Sequence, residues 1–182
     1  EEKLPVVLSL GEVKAIIEAA HLLKHRFLLA LAYGSGLRMN ELRLLKISDV
    51  DVDRKVVHVR PGKGRKDRYV VLAALCGDRL DHYLKQVKPQ LYLFEGQVPG
   101  QPMGERSIQY IISEALKKTD IKKEVSMHTL RHSFATHLLE QGVDLHSIQR
   151  QLGHSDLRIT MRYLHVAQIR PMPVHSPLDR LY

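Results

Sequence analysis

Cysteine and long apolar stretches are both scarce in this chain of 182 residues. The single cysteine, Cys76, excludes an intrachain disulfide, and such cysteine usage is typical of a reducing compartment. No window approaches the roughly 18 apolar residues of a membrane span. The opening residues EEKLPVVLSLGEV also lack the pattern of a signal peptide. We therefore expect a cytoplasmic protein without a membrane partner.

Aromatic and acidic residues are also few. Phe, Trp and Tyr make up 5% of the chain, which argues against an RNA-binding surface built on stacked aromatic side chains. Asp and Glu number 20 against 28 Lys and Arg, so the formal net charge is +8. A positive field of this kind favours nucleic acid or another anionic partner, although many basic proteins bind no DNA.

The chain does contain enough apolar residues for a folded core. A hydrophobic fraction of 44% and a charged fraction of 26% are ordinary for a globular protein of one domain. Helical periodicity dominates, and two alternating segments flank the turn sequence PGKG. We predict a mostly α fold with a small antiparallel β-sheet (α+β). One predicted helix begins at a capping box of Ser9 and Glu12, and a short one begins near Arg38. The other predicted helices cover about 25–33, 75–87, 107–118, 127–141, 145–152 and 157–163. The two predicted strands of the hairpin cover 55–60 and 67–72.

Three cationic or hydrogen-bonding side chains suit a phosphodiester. His128 and Arg131 lie three residues apart in HTLRHSF, so a helix places both on one side. Arg38 follows the glycine-rich break in GSGLRMNELRLLK, at a helix start where backbone N–H groups favour an anion. Arginine holds two phosphate oxygens with its planar guanidinium and stays protonated. Taken singly, each arginine is better explained as a surface arginine, such as Arg38 in an ion pair with Glu41.

A histidine and a tyrosine follow downstream. His154 stands in LGHSD, and Tyr163 comes nine residues later. A phenol attacks phosphorus once it is activated or lies in a field of cations. From these residues alone the alternatives stay open, because a tyrosine at a helix end is often a packing residue and an isolated histidine is often a buried structural imidazole.

The hairpin tip RPGKGRKDR carries a dense basic cluster. Lys63 lies between two glycines that let its backbone approach a ligand closely, so its ammonium group can protonate a departing alkoxide. The flanking residues Arg60, Arg65, Lys66 and Arg68 are candidates for contacts with a DNA backbone. A solvated basic turn explains the same residues without a function.

Eleven histidines raise the question of a metal site. His21 with His25 and His128 with His132 each have helical i,i+4 spacing. Neither pair has an HExxH carboxylate, and one cysteine cannot build a thiolate site. We expect no metal site. His132 and His137 are interpreted as structural histidines packed by neighbouring apolar residues.

Together these segments resemble the catalytic domain of a tyrosine recombinase of the phage integrase family, nearest to its Xer-like and mobile-element integrase members. The family pattern is an arginine in a GLRxxEL segment, a lysine in a β-hairpin, HxxR, LGH and a tyrosine shortly after. In this sequence the pattern falls on Arg38, Lys63, His128, Arg131, His154 and Tyr163. The resemblance covers about residues 8–166, and its five segments agree in order and spacing.

The resemblance implies a site-specific DNA recombinase or integrase that works without a metal, cofactor or ATP. Tyr163 would attack the scissile phosphate, form a 3′-phosphotyrosine and release a 5′-hydroxyl. Arg38 and Arg131 would hold the non-bridging oxygens. A 5′-hydroxyl of a partner strand would then reverse the attack and complete strand exchange.

The remaining residues of the pattern receive proton-transfer and donor roles from the same resemblance. Lys63 would be the general acid for the leaving 5′ oxygen. His128 would assist proton transfer from the tyrosine, and His154 would donate a hydrogen bond to the phosphate.

The implied partners are double-stranded DNA and other recombinase protomers in a tetrameric synapse, associated with the bacterial nucleoid. Members usually carry an N-terminal helical domain that closes around DNA, so we expect this chain to be the catalytic part of a longer protein. We interpret residues 1–8 as the remnant of an interdomain linker, 9–166 as the catalytic domain and 167–182 as a C-terminal tail. The proline-rich tail is not expected to be regular. Its Leu178, Leu181 and Tyr182 favour docking on a partner protomer, with folding back or disorder as alternatives.

Three other functions fit parts of the sequence. A type IB topoisomerase-like enzyme uses the same nucleophile and arginines but relaxes supercoils, and recombination between two sites would distinguish the two. A non-catalytic DNA-binding or excision accessory domain would have lost catalytic positions, and all six are kept. An RNA-binding or membrane-binding basic protein would need stacking aromatics or an exposed amphipathic basic helix.

Overall fold

A computed structural model describes residues 3–60, 62, 64–171 and 173–181 of the chain. The described residues form α-helices, three short β-strands and three 3-10 turns. The helices are α1 (Leu10–Ala19), α2 (Leu23–Ser35), α3 (Met39–Arg43), α4 (Ala74–Val87), α5 (Glu105–Lys117), α6 (Met127–Glu140), α7 (Leu145–Leu152) and α8 (Leu157–Met161). The strands are β1 (Val50–Asp51), β2 (Val56–Val59) and β3 (Arg68–Val71), and the 3-10 turns are Ile47–Asp49, Arg162–His165 and Pro177–Arg180. The predicted fold class, mostly α with a small antiparallel sheet, is confirmed.

The sheet has three antiparallel strands in the order β1-β2-β3, one more than the predicted hairpin. Val57 of β2 pairs with Val70 of β3 on one side and with Val50 of β1 on the other. Strand β1 was missed because two residues are too few to show an alternating pattern. Val57 and Val70 are buried while Tyr69 is exposed, so one face of the sheet packs on the core.

Local signals start and stop the helices that carry the site. Ser9 forms the predicted capping box of α1 with the glutamate three residues on. Gly36 ends α2 and Gly153 ends α7, both in the left-handed conformation that glycine adopts without strain. Both positions are tightly packed, because a Cβ on Gly36 would strike Phe134 and a Cβ on Gly153 would press on Arg68.

Helix α2 is the centre of the fold, in contact with α1, α4 and α6. Leu28 and Leu29 on it are fully buried, as its nearly all-round apolar sequence predicts. Phe27 stacks on Tyr83 of α4 with ring centroids 4.5 Å apart. A second, smaller cluster joins α6, α7 and the turn after α8, and we call it the Tyr163 cluster; it contains Phe134, Ala135, Leu139, Ile148, Leu152 and Tyr163.

The residues before α1 are tied to the middle of α6. Leu8 is buried, its N–H donates to Ser133 Oγ over 2.9 Å, and its carbonyl oxygen accepts from His137 Nε2 over 2.8 Å. Because Nε2 carries the ring proton, Nδ1 of His137 accepts a hydrogen bond from the Tyr33 hydroxyl group over 2.7 Å. The interpretation of His137 as a structural histidine is confirmed. Leu8, which the sequence assigns to the linker, packs with the domain.

The described residues after Ala167 lie at the surface. The expectation that the tail has no regular structure was wrong for one 3-10 turn, Pro177–Arg180, which Ser176 caps through its side-chain oxygen. Leu178 and Leu181 are 58% and 74% exposed, and Tyr182 lies outside the described residues. Docking of the tail on a partner protomer stays a prediction. Among the described residues, no helix has the length and apolar character that crossing a bilayer requires.

Candidate active site

A buried carboxylate organises the arginines of the site. Glu41 on α3 accepts two N–H groups from Arg68 on β3, at 2.8 Å to Oε1 and 3.0 Å to Oε2. It also accepts Nη1 of Arg38 at 3.1 Å and the Arg38 backbone N–H at 2.9 Å. Burial alone raises the pKa of Glu41, but the hydrogen bonds and charge of Arg68, with the Arg38 backbone, outweigh burial and hold the pKa below its usual value. The ion pair that the sequence suggests for Arg38 is therefore present, with a buried partner that serves two arginines.

The structure corrects the prediction that Arg68 contacts a DNA backbone. Only 11% of its side chain is exposed, because the guanidinium turns inward to Glu41. Its Nε donates to the Gln151 carbonyl oxygen over 2.9 Å. The same Gln151 accepts the Val71 backbone N–H through Oε1 over 2.9 Å. Arg68 thus fastens the hairpin to α3 and to the end of α7.

The other predicted DNA-backbone residues lie at the surface of the hairpin. Arg60 is half exposed and contacts the buried Asp49 carboxylate, with Nη1 2.5 Å from Oδ1. Arg65 and Lys66 are exposed. Their contact with DNA stays a prediction. Lys63, the predicted general acid, lies outside the described residues.

Arg131 is buried in the middle of α6, with 3% of its surface exposed. Nη1 donates to the Gly36 carbonyl oxygen over 2.7 Å, and Nη2 donates to the Leu152 carbonyl oxygen over 2.5 Å. One guanidinium therefore joins the end of α2, just before Arg38, to the end of α7, just before His154. Burial, followed by the charge of Arg38, lowers the pKa of Arg131 to about 9, which leaves it protonated at neutral pH.

His154 follows the end of α7 and is held by Thr160 of α8. Nδ1 of His154 lies 2.8 Å from Oγ1 of Thr160, which is fully buried. Burial, followed by the charges of Arg131 and Arg38, lowers the pKa of His154 to about 4. The imidazole is therefore neutral at pH 7. If the Thr160 hydroxyl donates to Nδ1, the ring proton lies on Nε2, and this N–H group can donate a hydrogen bond to an anion.

Tyr163 lies in the 3-10 turn after α8 and is 4% exposed. Its ring belongs to the Tyr163 cluster, and its hydroxyl oxygen lies 2.8 Å from Nδ1 of His132. Burial raises the pKa of Tyr163, although Arg131 and Arg162 act in the opposite direction. The phenol is therefore protonated at neutral pH and needs a proton acceptor in order to act as a nucleophile.

His132, which the sequence interprets as structural, lies beside the Tyr163 hydroxyl group. Burial, followed by His128 and Arg131, lowers the pKa of His132 to about 4. Its ring lies nearly parallel to that of His128, with centroids 6.1 Å apart. The i,i+4 spacing of these two histidines is a sequence signal that they share one face of α6. Nothing in the sequence shows that Tyr163 returns to that face.

An open pocket of about 420 Å³, here called the arginine pocket, lies beside these residues. Arg38, Arg60, Arg65 and His128 contribute to its lining. His128 also lines a cavity of about 280 Å³ together with His132, so the two spaces share one side chain. Converging guanidinium groups at an open pocket suit a phosphate, which accepts hydrogen bonds from several donors at once.

The structure brings five of the six predicted catalytic residues into one region. They are Arg38, His128, Arg131, His154 and Tyr163. Glu41, His132 and Thr160 support them and were not assigned to the site from the sequence, and Arg68, which was assigned to a DNA contact, also supports them. No group of three or more His, Cys, Asp or Glu side chains that could hold a metal ion occurs within the described ranges.

Comparisons with known proteins agree with this architecture. The model of the phage integrase family matches residues 7–170. The tyrosine recombinase XerD of Staphylococcus saprophyticus is 40% identical over 186 residues, which cover 94% of this chain and 62% of that protein. A Sinorhizobium fredii protein named as an integrase/recombinase is 38% identical over 180 residues, which cover 99% of this chain and 58% of that protein.

Solved structures show the same fold. The crystal structure of XerA recombinase matches with a TM-score of 0.83 and 36% identity, and covers 92% of this chain and 63% of that chain. XerH site-specific recombinase, bound to its difH substrate in a pre-cleavage complex, matches with a TM-score of 0.77 and 27% identity, and covers 89% of this chain and 50% of that chain. This chain thus spans between half and two thirds of the length of these relatives.

Proposed function

Because this chain belongs to the phage integrase family, we propose that it is the catalytic domain of a site-specific recombinase that cuts and rejoins DNA strands through Tyr163. The observation that carries the proposal is the convergence of a tyrosine, two arginines and a neutral histidine. The Arg131 guanidinium joins the turn before Arg38 to the turn before His154, and its charge acts on Tyr163. The descriptions of XerA and XerH as recombinases, and the difH substrate bound to XerH, support the same activity.

The arginines supply the positive charge that a phosphodiester needs during attack. Negative charge grows on the phosphoryl oxygens in the transition state, so cations fixed before the reaction lower its energy. Arg38 lines the arginine pocket and would contact a non-bridging oxygen there. Arg131 is buried next to the pocket, where its positive charge adds to the electrostatic potential. Its hydrogen bond to the Gly36 carbonyl oxygen also fixes the turn that carries Arg38. His154 would donate Nε2–H to the same phosphate.

Attack by the Tyr163 oxygen forms a phenol O–P bond and breaks the bond from phosphorus to the 5′ oxygen. The leaving oxygen takes a proton, for which we assign Lys63 as the general acid. The product is a 3′-phosphotyrosine that keeps the energy of the phosphodiester. A 5′-hydroxyl from another strand can therefore reverse the attack without ATP, metal or cofactor.

We infer double-stranded DNA as the partner, with the exposed Arg65 and Lys66 on its backbone. Strand exchange needs more than one active site. We therefore infer that other recombinase protomers join this one in a synapse of four protomers. The exposed tail residues Leu178 and Leu181 are then available to dock on a neighbouring protomer. We infer that the protein acts on bacterial DNA at the nucleoid, in the cytoplasm.

Trapping the covalent intermediate tests the proposal. The chain is incubated, in the presence of EDTA, with end-labelled nicked duplexes whose sequence around the nick is randomised. Cleavage beside the nick releases a short strand, so the adduct accumulates and survives SDS. Tyr110→Phe is the matched control, because Tyr110 is an exposed tyrosine of α5.

Wild type and Tyr110→Phe are expected to form the adduct, and Tyr163→Phe is expected to form none. Mass spectrometry of the digested adduct should place the nucleotide on the peptide that contains Tyr163. An adduct that persists in Tyr163→Phe would move the nucleophile elsewhere. DNA binding by the wild type without any adduct would favour a non-catalytic accessory domain.

A further inference from the structure

One contact in the site concerns the proton that Tyr163 must lose. The Tyr163 hydroxyl lies 2.8 Å from Nδ1 of His132, whereas His128 is exposed and lines the arginine pocket. We propose that His132 is the catalytic proton acceptor for Tyr163, and that His128 acts at the phosphate instead. The proposal rests on the strand-cleavage function given above and deepens it.

The hydrogen bond fixes the direction of proton transfer. Nδ1 of His132 can accept the phenol proton only when it carries none, so the ring proton must sit on Nε2. The surroundings favour this neutral form, because burial removes water from the ring and the nearby His128, Arg131 and Arg162 oppose a positive charge on it. A neutral imidazole at hydrogen-bond distance meets the geometric requirement for a general base.

The step balances without another reactant. As the phenol oxygen forms its bond to phosphorus, the phenol O–H bond breaks and its proton moves to Nδ1 of His132. The bond from phosphorus to the 5′ oxygen breaks, and that oxygen takes a proton from the general acid. His132 is left as an imidazolium beside the phosphotyrosine. In the rejoining reaction the phenol oxygen is the leaving group, and His132, protonated again, returns a proton to it.

The cavity beside His132 gives the imidazolium a route to solvent. The cavity measures about 280 Å³, and its lining includes His132, His128, Glu124 and Ser126. Glu124 and Ser126 are exposed, so the space connects to bulk water. A proton held on His132 can exchange there while the covalent intermediate waits for the second strand. The phenol itself is buried, so His132 is the group that links its proton to the outside.

A purely restraining role for His132 predicts the opposite behaviour. If the hydrogen bond only held Tyr163 in its buried position, removing the bond would free the nucleophile and speed attack. Removing a proton acceptor would slow attack by about 10²- to 10⁴-fold. His132→Gln separates the two roles, because glutamine can keep a hydrogen bond to the phenol but cannot take its proton.

The experiment measures the single-turnover rate of adduct formation on the nicked duplex selected by the wild type. His132→Gln and His128→Gln are each prepared with Tyr163 as tyrosine and as 3,5-difluorotyrosine. Fluorination makes the phenol more acidic, so it reduces the need for a base. Circular dichroism and DNA binding of each variant establish that the fold and the complex are intact.

His132→Gln is expected to be at least about a hundredfold slower than wild type and to regain at least tenfold with difluorotyrosine. His128→Gln is also expected to be slower, but without this gain, because it acts on the phosphate. A wild-type or faster rate in His132→Gln would overturn the proposal. So would a slow rate that fluorination does not raise, or an equal gain in both variants. Failure of the wild type itself to form an adduct would instead overturn the proposed function.

Discussion

Glu41→Gln is expected to destabilise the fold far more than an ordinary loss of one surface charge. Glu41 is the counter-charge of Arg68, whose side chain is 11% exposed, and it also binds Arg38. Removing one partner of a buried pair leaves the other charge uncompensated and costs about 3–5 kcal/mol. Because both arginines keep some exposure, we expect about 3 kcal/mol, or a fall in Tm of about 6–12 °C for a domain of this size.

A second substitution tests the reason for that loss. Arg68→Met in the Glu41→Gln background removes the stranded cation, and replacing both partners of a buried pair by uncharged groups is often neutral. The double variant should therefore recover at least about 1 kcal/mol relative to Glu41→Gln alone. The two changes together should therefore cost less stability than the sum of their separate costs.

Urea unfolding followed by circular dichroism at pH 7 measures all four proteins of this cycle. Glu114→Gln is the matched control, because Glu114 pairs with the exposed Lys117 on the surface of α5. That change should cost less than about 1 kcal/mol. The reasoning is refuted if Glu41→Gln costs no more than the control, or if the double variant loses the sum of the two single changes.

Three further outcomes follow from the geometry. Gly153→Ala should cost about 1 kcal/mol more than Gly142→Ala in urea unfolding. Both glycines have positive φ, but only at Gly153 would a Cβ meet a guanidinium, at 3.0 Å, and equal costs would contradict this. Thr160→Val should slow adduct formation about tenfold by removing the hydrogen bond that orients His154, and an unchanged rate would show that packing alone holds the ring. Stability should fall as the pH drops from about 6.5 towards 4, because His132 and His154 have pKa values of about 4 when folded and take up protons on unfolding. A flat profile of the free energy of unfolding between pH 7 and 4.5 would count against that burial.

The helices were predictable because their signals are local. The capping box at Ser9 and the apolar sequence of α2 each depend on residues within a few positions of one another. The glycine ends follow the same logic, and Gly153 ends α7 at the predicted residue. The catalytic pattern was predictable for a related reason, since HxxR and LGH are short segments. Their assembly into one site could be expected only from the resemblance to a family.

Arg68 shows where a local signal was present but outweighed. It stands among basic residues of one turn, and composition alone suggests that all of them face DNA. Alternation along β3 places Arg68 on the same side as the buried Val70 and opposite the exposed Tyr69, so strand geometry already directs it inward. What the sequence does not show is the partner, because Glu41 lies 27 positions away on another element.

His132 marks the limit of motif reasoning in this chain. Helical geometry puts His128 and His132 on one face of α6, and the HxxR pattern selects only the first of them. The path of the chain through α7 and α8 then decides which histidine meets the phenol, 31 positions later. That path depends on the left-handed turn at Gly153 and on the packing of the Tyr163 cluster, which are tertiary features. A substitution scan guided by the motif alone would change His128, observe a slower reaction and assign the proton transfer to it. The structure instead separates His128 at the arginine pocket from His132 at the Tyr163 hydroxyl, and a Tyr163 of altered acidity tests whether their roles differ as proposed.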